Sequence, residues 1–102
     1  MRIIKESYLK AAAVEHPRAA EAIAVWIRMV RAARWKTPVD LKKSAPEVDP
    51  VTLRSKRTAY VFNIRRNEFR LVTAVHFNRQ IAFTLRFMTH AEYGLNRWKK
   101  EL

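Results

Sequence analysis

Three stretches in the second half of the chain, each rich in β-branched and aromatic residues, restrict the possible folds most strongly. They cover residues 58–64 (TAYVFNI), 68–77 (EFRLVTAVHF) and 81–88 (IAFTLRFM), and short polar breaks at 65–67 and 78–80 separate them. Residues of this kind favour strands, and breaks this short join neighbouring antiparallel strands. The pattern therefore predicts a three-stranded antiparallel meander.

The first half of the chain has helical periodicity instead. Residues 5–15 are rich in Ala, Leu, Lys and Glu, and Pro17 ends this helix and can open a second one that reaches about Arg34. Apolar residues recur along the second helix at the spacing of one buried face: Ala20, Ile23, Ala24, Ile27 and Val30. An arginine stripe beside that face is either solvated or a contact for RNA or a partner: Arg28, Arg31 and Arg34.

The remaining segments add only short elements. Residues 1–4 allow an edge strand, and the proline-punctuated zone from Trp35 to Pro50 allows one short helix at 39–44. The tail after Thr89 is expected to form a short helix or turn. Two helices followed by a meander predict an α+β fold, with two N-terminal helices packed on a small antiparallel sheet and a short C-terminal helix. We expect one domain over residues 1–102.

The charge of the chain indicates its partner. It has 21 Lys and Arg against 9 Asp and Glu, a formal net charge of +12. Self-repulsion of this size favours a polyanionic partner, and nucleic acid is the first interpretation. A membrane surface is the rival, but the cations do not gather on one amphipathic helix and no apolar run approaches a membrane span. A basic domain without any such partner is the plainer alternative. The cytoplasm is the expected compartment, because the start has no apolar signal region.

Most kinds of catalytic site are poorly supported. There is no cysteine, and His16, His76 and His90 have no ligand spacing with carboxylates, so we expect no metal. The single glycine, Gly94, excludes a glycine-rich phosphate loop, and the serines lie in no nucleophile-elbow context. We therefore expect no cofactor, and metal-free acid–base and electrostatic catalysis is what remains for an enzyme.

The strand pattern predicts which side chains share a face of the sheet, because side chains alternate sides along a strand. The apolar sets should pack on the helices: Tyr60, Phe62, Ile64; Phe69, Leu71, Thr73, Val75, Phe77; and Ile81, Phe83, Leu85, Phe87. They share one side only if the loop at 78–80 holds an odd number of residues, and three is a common hairpin length. The opposite, uncovered face then carries Asn63, Arg70, His76, Thr84 and Arg86.

Two arginines on this face suggest a site for an anion. Arg70 is predicted to lie diagonal to Arg86 and beside Asn63, and each guanidinium offers a planar fork of donors suited to phosphate. Just beyond the third strand, His90 can exchange a proton near neutral pH, and Tyr93 can stack on a base or donate its hydroxyl. The plain alternative is a pair of unrelated surface arginines and a capping or surface histidine.

Several segments of the chain resemble one known family. They are Tyr60–Ile64, Asn67–Val72, His76–Arg79, Trp35-Lys36, Asp40–Lys43 with Pro46 and Asp49, and above all Thr89-His90-Ala91-Glu92-Tyr93. Together they resemble the HigB family of bacterial toxins, within the RelE-like superfamily. Three positions depart from the family pattern. Arg65 and Arg66 replace frequent turn glycines, which suggests a different turn type, Phe69 replaces a frequent tyrosine, and Gly94 replaces a common acidic residue.

The resemblance implies a ribosome-dependent endoribonuclease that cleaves mRNA and is neutralised by a helix-turn-helix antitoxin, HigA. Arg70 and Arg86 would then hold the scissile phosphate, His90 would be the acid–base candidate, and Tyr93 would orient or stack the substrate. Lys56 and Arg57 would be further phosphate contacts, or else solvated charges at a strand end. Two other residues of the predicted arginine face complete the RNA-binding candidates: Asn63 and His76.

The resulting hypothesis is a metal-independent phosphodiester transfer. The ribose 2′-hydroxyl attacks the adjacent phosphate and leaves a cyclic phosphate and a free 5′-hydroxyl, so DNA should not be cut. The main alternative is a non-catalytic basic module that binds nucleic acid. A third possibility is an interaction protein whose basic face docks an acidic partner.

Overall fold

The predicted meander forms the centre of a five-stranded sheet in a computed structural model that describes all residues from 1 to 102. The strands are β1 Arg2–Ile4, β2 Asp49–Thr52, β3 Thr58–Ile64, β4 Phe69–His76 and β5 Ile81–Thr89. The helices are α1 Glu6–Glu15, α2 Ala20–Ala32, α3 Pro38–Ser44, α4 His90–Gly94 and α5 Arg97–Glu101, with a 3-10 turn at Pro17–Ala19. The prediction of an α+β fold is confirmed. No helix combines the length and the apolar character needed to cross a membrane.

The edge strand β1 makes the sheet mixed rather than purely antiparallel. The strand order is β1-β5-β4-β3-β2, and β1 runs parallel to β5 while every other pair is antiparallel. The edge strand predicted near the N-terminus is confirmed. The opposite edge strand, β2, was not predicted, because Asp49 and Pro50 at its start are residues that strands generally avoid.

The longer helices pack on one side of the sheet, which we call the inner face. Leu9 of α1 and Ile23 and Val30 of α2 meet Phe62 and Leu71 of the sheet in the main hydrophobic core. The predicted buried stripe of α2 is therefore confirmed at its two most buried positions. It omitted Trp26, which is also buried and packs edge-on against Phe62 with ring centroids 5.6 Å apart.

The register between β4 and β5 differs from the prediction in two places. His76 pairs with Ile81, so the connecting loop holds four residues, 77–80, rather than an odd number. Further along, Val72 lies opposite Arg86 and Thr73 opposite Thr84, which leaves Leu85 as the extra residue of a β-bulge. Each change turns the side chains of β5 to the opposite face of the sheet. The side chains beyond the bulge therefore return to their predicted faces.

The faces of β5 follow from these two reversals. Ile81, Phe83 and Leu85 were predicted on the helix side, which is wrong, because Ala82 packs in the main core while Leu85 packs on the opposite side. Thr84 was predicted on the opposite face, which is also wrong. Its buried hydroxyl donates towards the carbonyl of Lys5 at 3.0 Å, on the inner face. Beyond the bulge, Phe87 is in the main core and Arg86 is on the predicted side.

The other side of the sheet, which we call the outer face, is not bare as expected. α5 lies over part of it and buries Trp98 to 2% exposure. A second hydrophobic cluster forms there, made of Leu53, Ala59, Val61, Val72, Met88 and Trp98. The prediction of an uncovered face is wrong because these alternate positions of the strands are themselves apolar and need a cover.

The turn between β3 and β4 also departs from expectation. Arg65 has φ 51° and Arg66 φ 60°, so both arginines adopt the left-handed conformation typical of turn glycines, and the expectation of a different turn type is wrong. The Arg65 guanidinium binds the Glu68 carboxylate at 2.6 Å across the turn. This exposed ion pair spans a turn whose conformation glycine would adopt more easily.

Candidate functional site

Arg70 occupies the outer face near the start of β4. Its partner across the β3–β4 pair is Asn63, as predicted. The guanidinium lies 5.6 Å from the centroid of the Tyr93 ring, and its Nη1 donates to the carbonyl oxygens of Asn67 at 3.1 Å and Phe69 at 3.2 Å. These contacts fix one edge of the guanidinium and use only part of its donor set.

Arg86 lies on the same face, one strand away. Arg70 pairs with Met88 and Arg86 pairs with Val72, so the two arginines are diagonal neighbours, and this part of the prediction is confirmed. Diagonal neighbours have Cα atoms roughly 7–8 Å apart, within reach of two long side chains. The Arg86 Nη1 donates to Glu101 Oε2 of α5 at 3.0 Å. One carboxylate of the chain therefore occupies a place where an external anion could bind.

Tyr93 joins Arg70 to the C-terminal helix. Its ring stacks on Trp98, with centroids 5.2 Å apart and planes 17° from parallel, and the Trp98 Nε1 donates to the Tyr93 carbonyl at 3.1 Å. The buried indole thus sets the position of the tyrosine that faces Arg70. Sequence reasoning placed Trp98 in a tail of undefined role and did not include it, nor Glu101, in the site.

Two residues of the segment Thr89–Tyr93, Thr89 and Glu92, have a structural role at the start of α4. The Thr89 hydroxyl accepts a hydrogen bond from the Glu92 amide at 3.2 Å, and the Glu92 carboxylate accepts one from the Thr89 amide at 3.0 Å. This capping box starts α4 directly at the end of β5. It presents His90 as an exposed side chain in the first turn of α4 and turns Tyr93 towards Arg70.

The other predicted RNA contacts lie elsewhere. Arg57 and His76 line a separate outer-face groove of about 450 Å³, together with Leu85 and Leu102. His76 is six residues from Arg70 along β4, which corresponds to roughly 20 Å. Lys56 is exposed in the turn before β3. The structure therefore brings Asn63, Arg86 and Tyr93 around Arg70, and it places Arg57 and His76 at the far end of the same face.

The electrostatic environment favours the protonated form of the Tyr93 hydroxyl. Burial raises its pKa above the ordinary value of 10, the nearby Asp49 carboxylate raises it further, and Arg70 opposes both effects. Asp49 belongs to the edge strand that the sequence did not predict. At neutral pH this phenol is a hydrogen-bond donor rather than a phenolate.

We expect Tyr93 to titrate at a pH above 10, because its neutral form is favoured in the folded chain. Its contribution to stability is then fully present below the ordinary pKa and is lost as the pH rises through the raised one. Ultraviolet titration of phenolate formation, comparing the native chain with Tyr93→Phe, isolates this group. A difference titration with its midpoint at or below 10 would contradict the assigned environment.

Comparison with known proteins identifies the class and then the family. A family model described as a RelE-like toxic component of a toxin–antitoxin system matches residues 19–95. The chain, with its mixed sheet and arginine-bearing outer face, is therefore a toxin of this class. The chain belongs to the HigB toxin family. Membership in a toxin–antitoxin system implies an antitoxin partner.

Curated relatives cover nearly the whole chain. The mRNA interferase toxin HigB of Escherichia coli strain K12 is 32% identical over 93 residues, which span 91% of this chain and 88% of the relative. The mRNA interferase HigB of Shigella flexneri gives the same values. The mRNA interferase HigB of Escherichia coli O6:H1 is 26% identical over 102 residues, covering 99% of this chain and 97% of the relative.

Proposed function

We propose that this toxin is a ribosome-dependent endoribonuclease that cleaves mRNA at the outer face of its sheet. The observation that carries the proposal is the placement of Arg70 and Arg86 as diagonal neighbours on that face, with Tyr93 against Arg70. The names of the relatives, which are mRNA interferases, agree with this chemistry. Translation takes place in the cytoplasm, so the proposal assigns the toxin to that compartment.

The reaction we propose is an internal transfer at one phosphodiester. The ribose 2′-oxygen forms a bond to phosphorus while its proton passes to a base, and the bond from phosphorus to the 5′-oxygen breaks as that oxygen receives a proton. The products are a 2′,3′-cyclic phosphate and a 5′-hydroxyl. Extra negative charge develops on the phosphate oxygens in the transition state, and the forks of Arg70 and Arg86 stabilise it.

The proton transfers are assigned to His90 and Tyr93, both in α4 directly after β5. His90 is exposed at the start of α4 and its imidazole is the acid–base candidate. Tyr93 is held in its protonated form and donates a hydrogen bond to the substrate or stacks on a base. Asn63 beside Arg70 positions the RNA, and Lys56, Arg57 and His76 bind its backbone further along the outer face.

The test is the chemistry of the cleaved ends. Purified toxin, ribosomes and message are incubated at the magnesium concentration that ribosomes require, and the new termini are analysed for a cyclic phosphate and a 5′-hydroxyl. The proposal expects cleavage with these ends. Cleavage that leaves 5′-phosphate ends would contradict it, and RNA binding on translating ribosomes without cleavage would favour a non-catalytic module.

Glu101 is expected to compete with the substrate for Arg86. In Glu101→Gln the phosphate no longer displaces a carboxylate, so we expect RNA affinity to rise about threefold to fivefold at low salt, and stability to change by less than about 0.5 kcal/mol. Glu15→Gln is the matched control, because Glu15 is exposed on α1 and forms no ion pair in the structure. Equal affinity of the two variants in a salt-controlled binding assay would show that the ion pair does not oppose RNA.

The antitoxin is proposed to be a helix-turn-helix protein of the HigA type, encoded next to this toxin. The net charge of +12 favours an acidic surface on this partner. Co-expression of the neighbouring reading frame should relieve growth arrest caused by the toxin. Growth arrest that persists despite the accumulation of that protein would contradict the assignment.

A further inference from the structure

A second surface, more apolar than the arginine face, lies between α2 and the end of β3. We call it the α2–β3 groove. It encloses about 450 Å³, and the segment 44–47 forms its other wall. Its lining is mainly apolar, from Ala22, Val25, Trp26, Met29, Phe62 and Ile64. Val25 is 51% exposed, which is high for an aliphatic residue inside a groove.

The backbone beside this groove has an open strand edge. β2 begins at Asp49, which lies opposite Val61, so β2 pairs with no residue of β3 beyond Val61. The final three residues of β3, Phe62–Ile64, therefore have β4 on one side and no strand on the other. An open edge offers backbone donors and acceptors to an added strand, which is a common mode of peptide recognition.

A buried polar group in the groove wall also has no partner. The Trp26 indole N–H forms no hydrogen bond, although Trp26 is only 4% exposed. Buried donors are normally paired, and each unpaired one costs free energy. A carbonyl oxygen brought into the groove by a peptide could accept this bond when the overlying side chains move apart.

The charges at the groove favour a protein over RNA. The lining contains Arg18 and Arg65 but also Glu21 and Glu47, so the charges of the lining side chains balance in a chain of net charge +12. Arg18 and Arg65 both bind the same oxygen of Glu68, at 3.0 Å and 2.6 Å. Two cations sharing one carboxylate leave a place for an acidic side chain at this end. A second copy of the chain is disfavoured by repulsion between two such basic molecules.

We propose that an extended segment of the antitoxin docks in the α2–β3 groove. The segment adds a strand to the free edge at Phe62–Ile64, inserts an apolar side chain between Val25 and Met29, and places an acidic side chain near Arg18 and Arg65. The effect of this docking on RNA cleavage rests on the proposed function. Asn63 pairs with Arg70, so the added strand lies two strand spacings, about 10 Å, from the proposed catalytic arginine.

The experiment compares Val25→Glu with Val14→Glu in binding to the purified antitoxin encoded beside this toxin. Both residues are exposed valines on helices, at 51% and 81%, and only Val25 lines the groove. We expect Val25→Glu to weaken antitoxin binding at least about tenfold, since it places a charge in an apolar contact, and Val14→Glu to bind normally. Equal affinity of the two variants would overturn the proposal.

Hydrogen exchange of the full complex provides a second measurement. The proposal expects the amides of residues 62–65 to gain protection when the antitoxin binds. Protection confined to α5 and the arginine site would overturn it, as would a dimer of the free toxin that Val25→Glu dissociates. Binding and exchange do not depend on RNA cleavage, so an inactive toxin that still binds through the groove would refute the proposed function alone.

Discussion

Replacing Arg86 or Arg70 with alanine is expected to lower single-turnover cleavage of message on ribosomes by about 100-fold to 1,000-fold, the usual cost of losing one donor that stabilises transition-state charge. Both variants should fold. Arg86 loses only an ion pair on a partly exposed surface, and Arg70 loses contacts to two carbonyls and one ring. Growth arrest should be relieved in each case.

Two controls separate catalysis from general charge. Arg28→Ala removes one positive charge from the exposed side of α2 and should reduce cleavage by less than about threefold at physiological salt. The double variant should lose much less than the product of the two single losses, because both arginines act on one phosphate. If Arg70→Ala and Arg86→Ala remain as toxic as Arg28→Ala, the outer face is not the catalytic face.

Trp98→Ala is expected to destabilise the toxin by about 3–5 kcal/mol, because it empties the centre of the outer-face cluster. For a domain of this size the melting temperature should fall by about 15 °C or more. The same substitution frees Tyr93 from its stacking partner, so cleavage should fall even at temperatures where the variant is folded. Thermal unfolding followed by circular dichroism gives the first quantity.

Trp98→Phe distinguishes packing from a general effect of the tail. It keeps a ring against Tyr93 and should lose less than half as much stability as Trp98→Ala. Lys100→Ala, at an exposed position of the same helix, should leave stability within about 0.5 kcal/mol. A loss below about 1 kcal/mol in Trp98→Ala would show that α5 does not dock on the sheet as described.

The sequence predicted the elements well and the register only in part. Helix-forming composition, apolar periodicity and proline positions located α1, α2 and α3, and stretches of β-branched and aromatic residues located the three central strands. Periodicity does not specify loop length or bulges. The four-residue loop 77–80 and the bulge at Leu85 were therefore missed, and Thr84 was assigned to the wrong face. Arg86 was placed correctly because the two unpredicted shifts cancel beyond the bulge.

The covered outer face could have been found from the sequence. Ala59, Val61, Val72 and Met88 alternate with the inner-face residues and are apolar, which indicates that both faces of the sheet are packed. Trp98 is the large apolar residue left in the tail to cover them. The pairing of Glu101 with Arg86 depends on how α5 docks, and no local pattern in the sequence contains that information.

The most direct test of the proposed site is the position of the scissile phosphate in a complex of this toxin with ribosome-bound message that carries a 2′-deoxynucleotide at the cleaved position. We expect one phosphate within hydrogen-bond distance, about 3 Å, of both the Arg70 and the Arg86 guanidinium groups, with Glu101 displaced. A scissile phosphate held at the groove of Arg57 and His76, or on the helix side of the sheet, would contradict it.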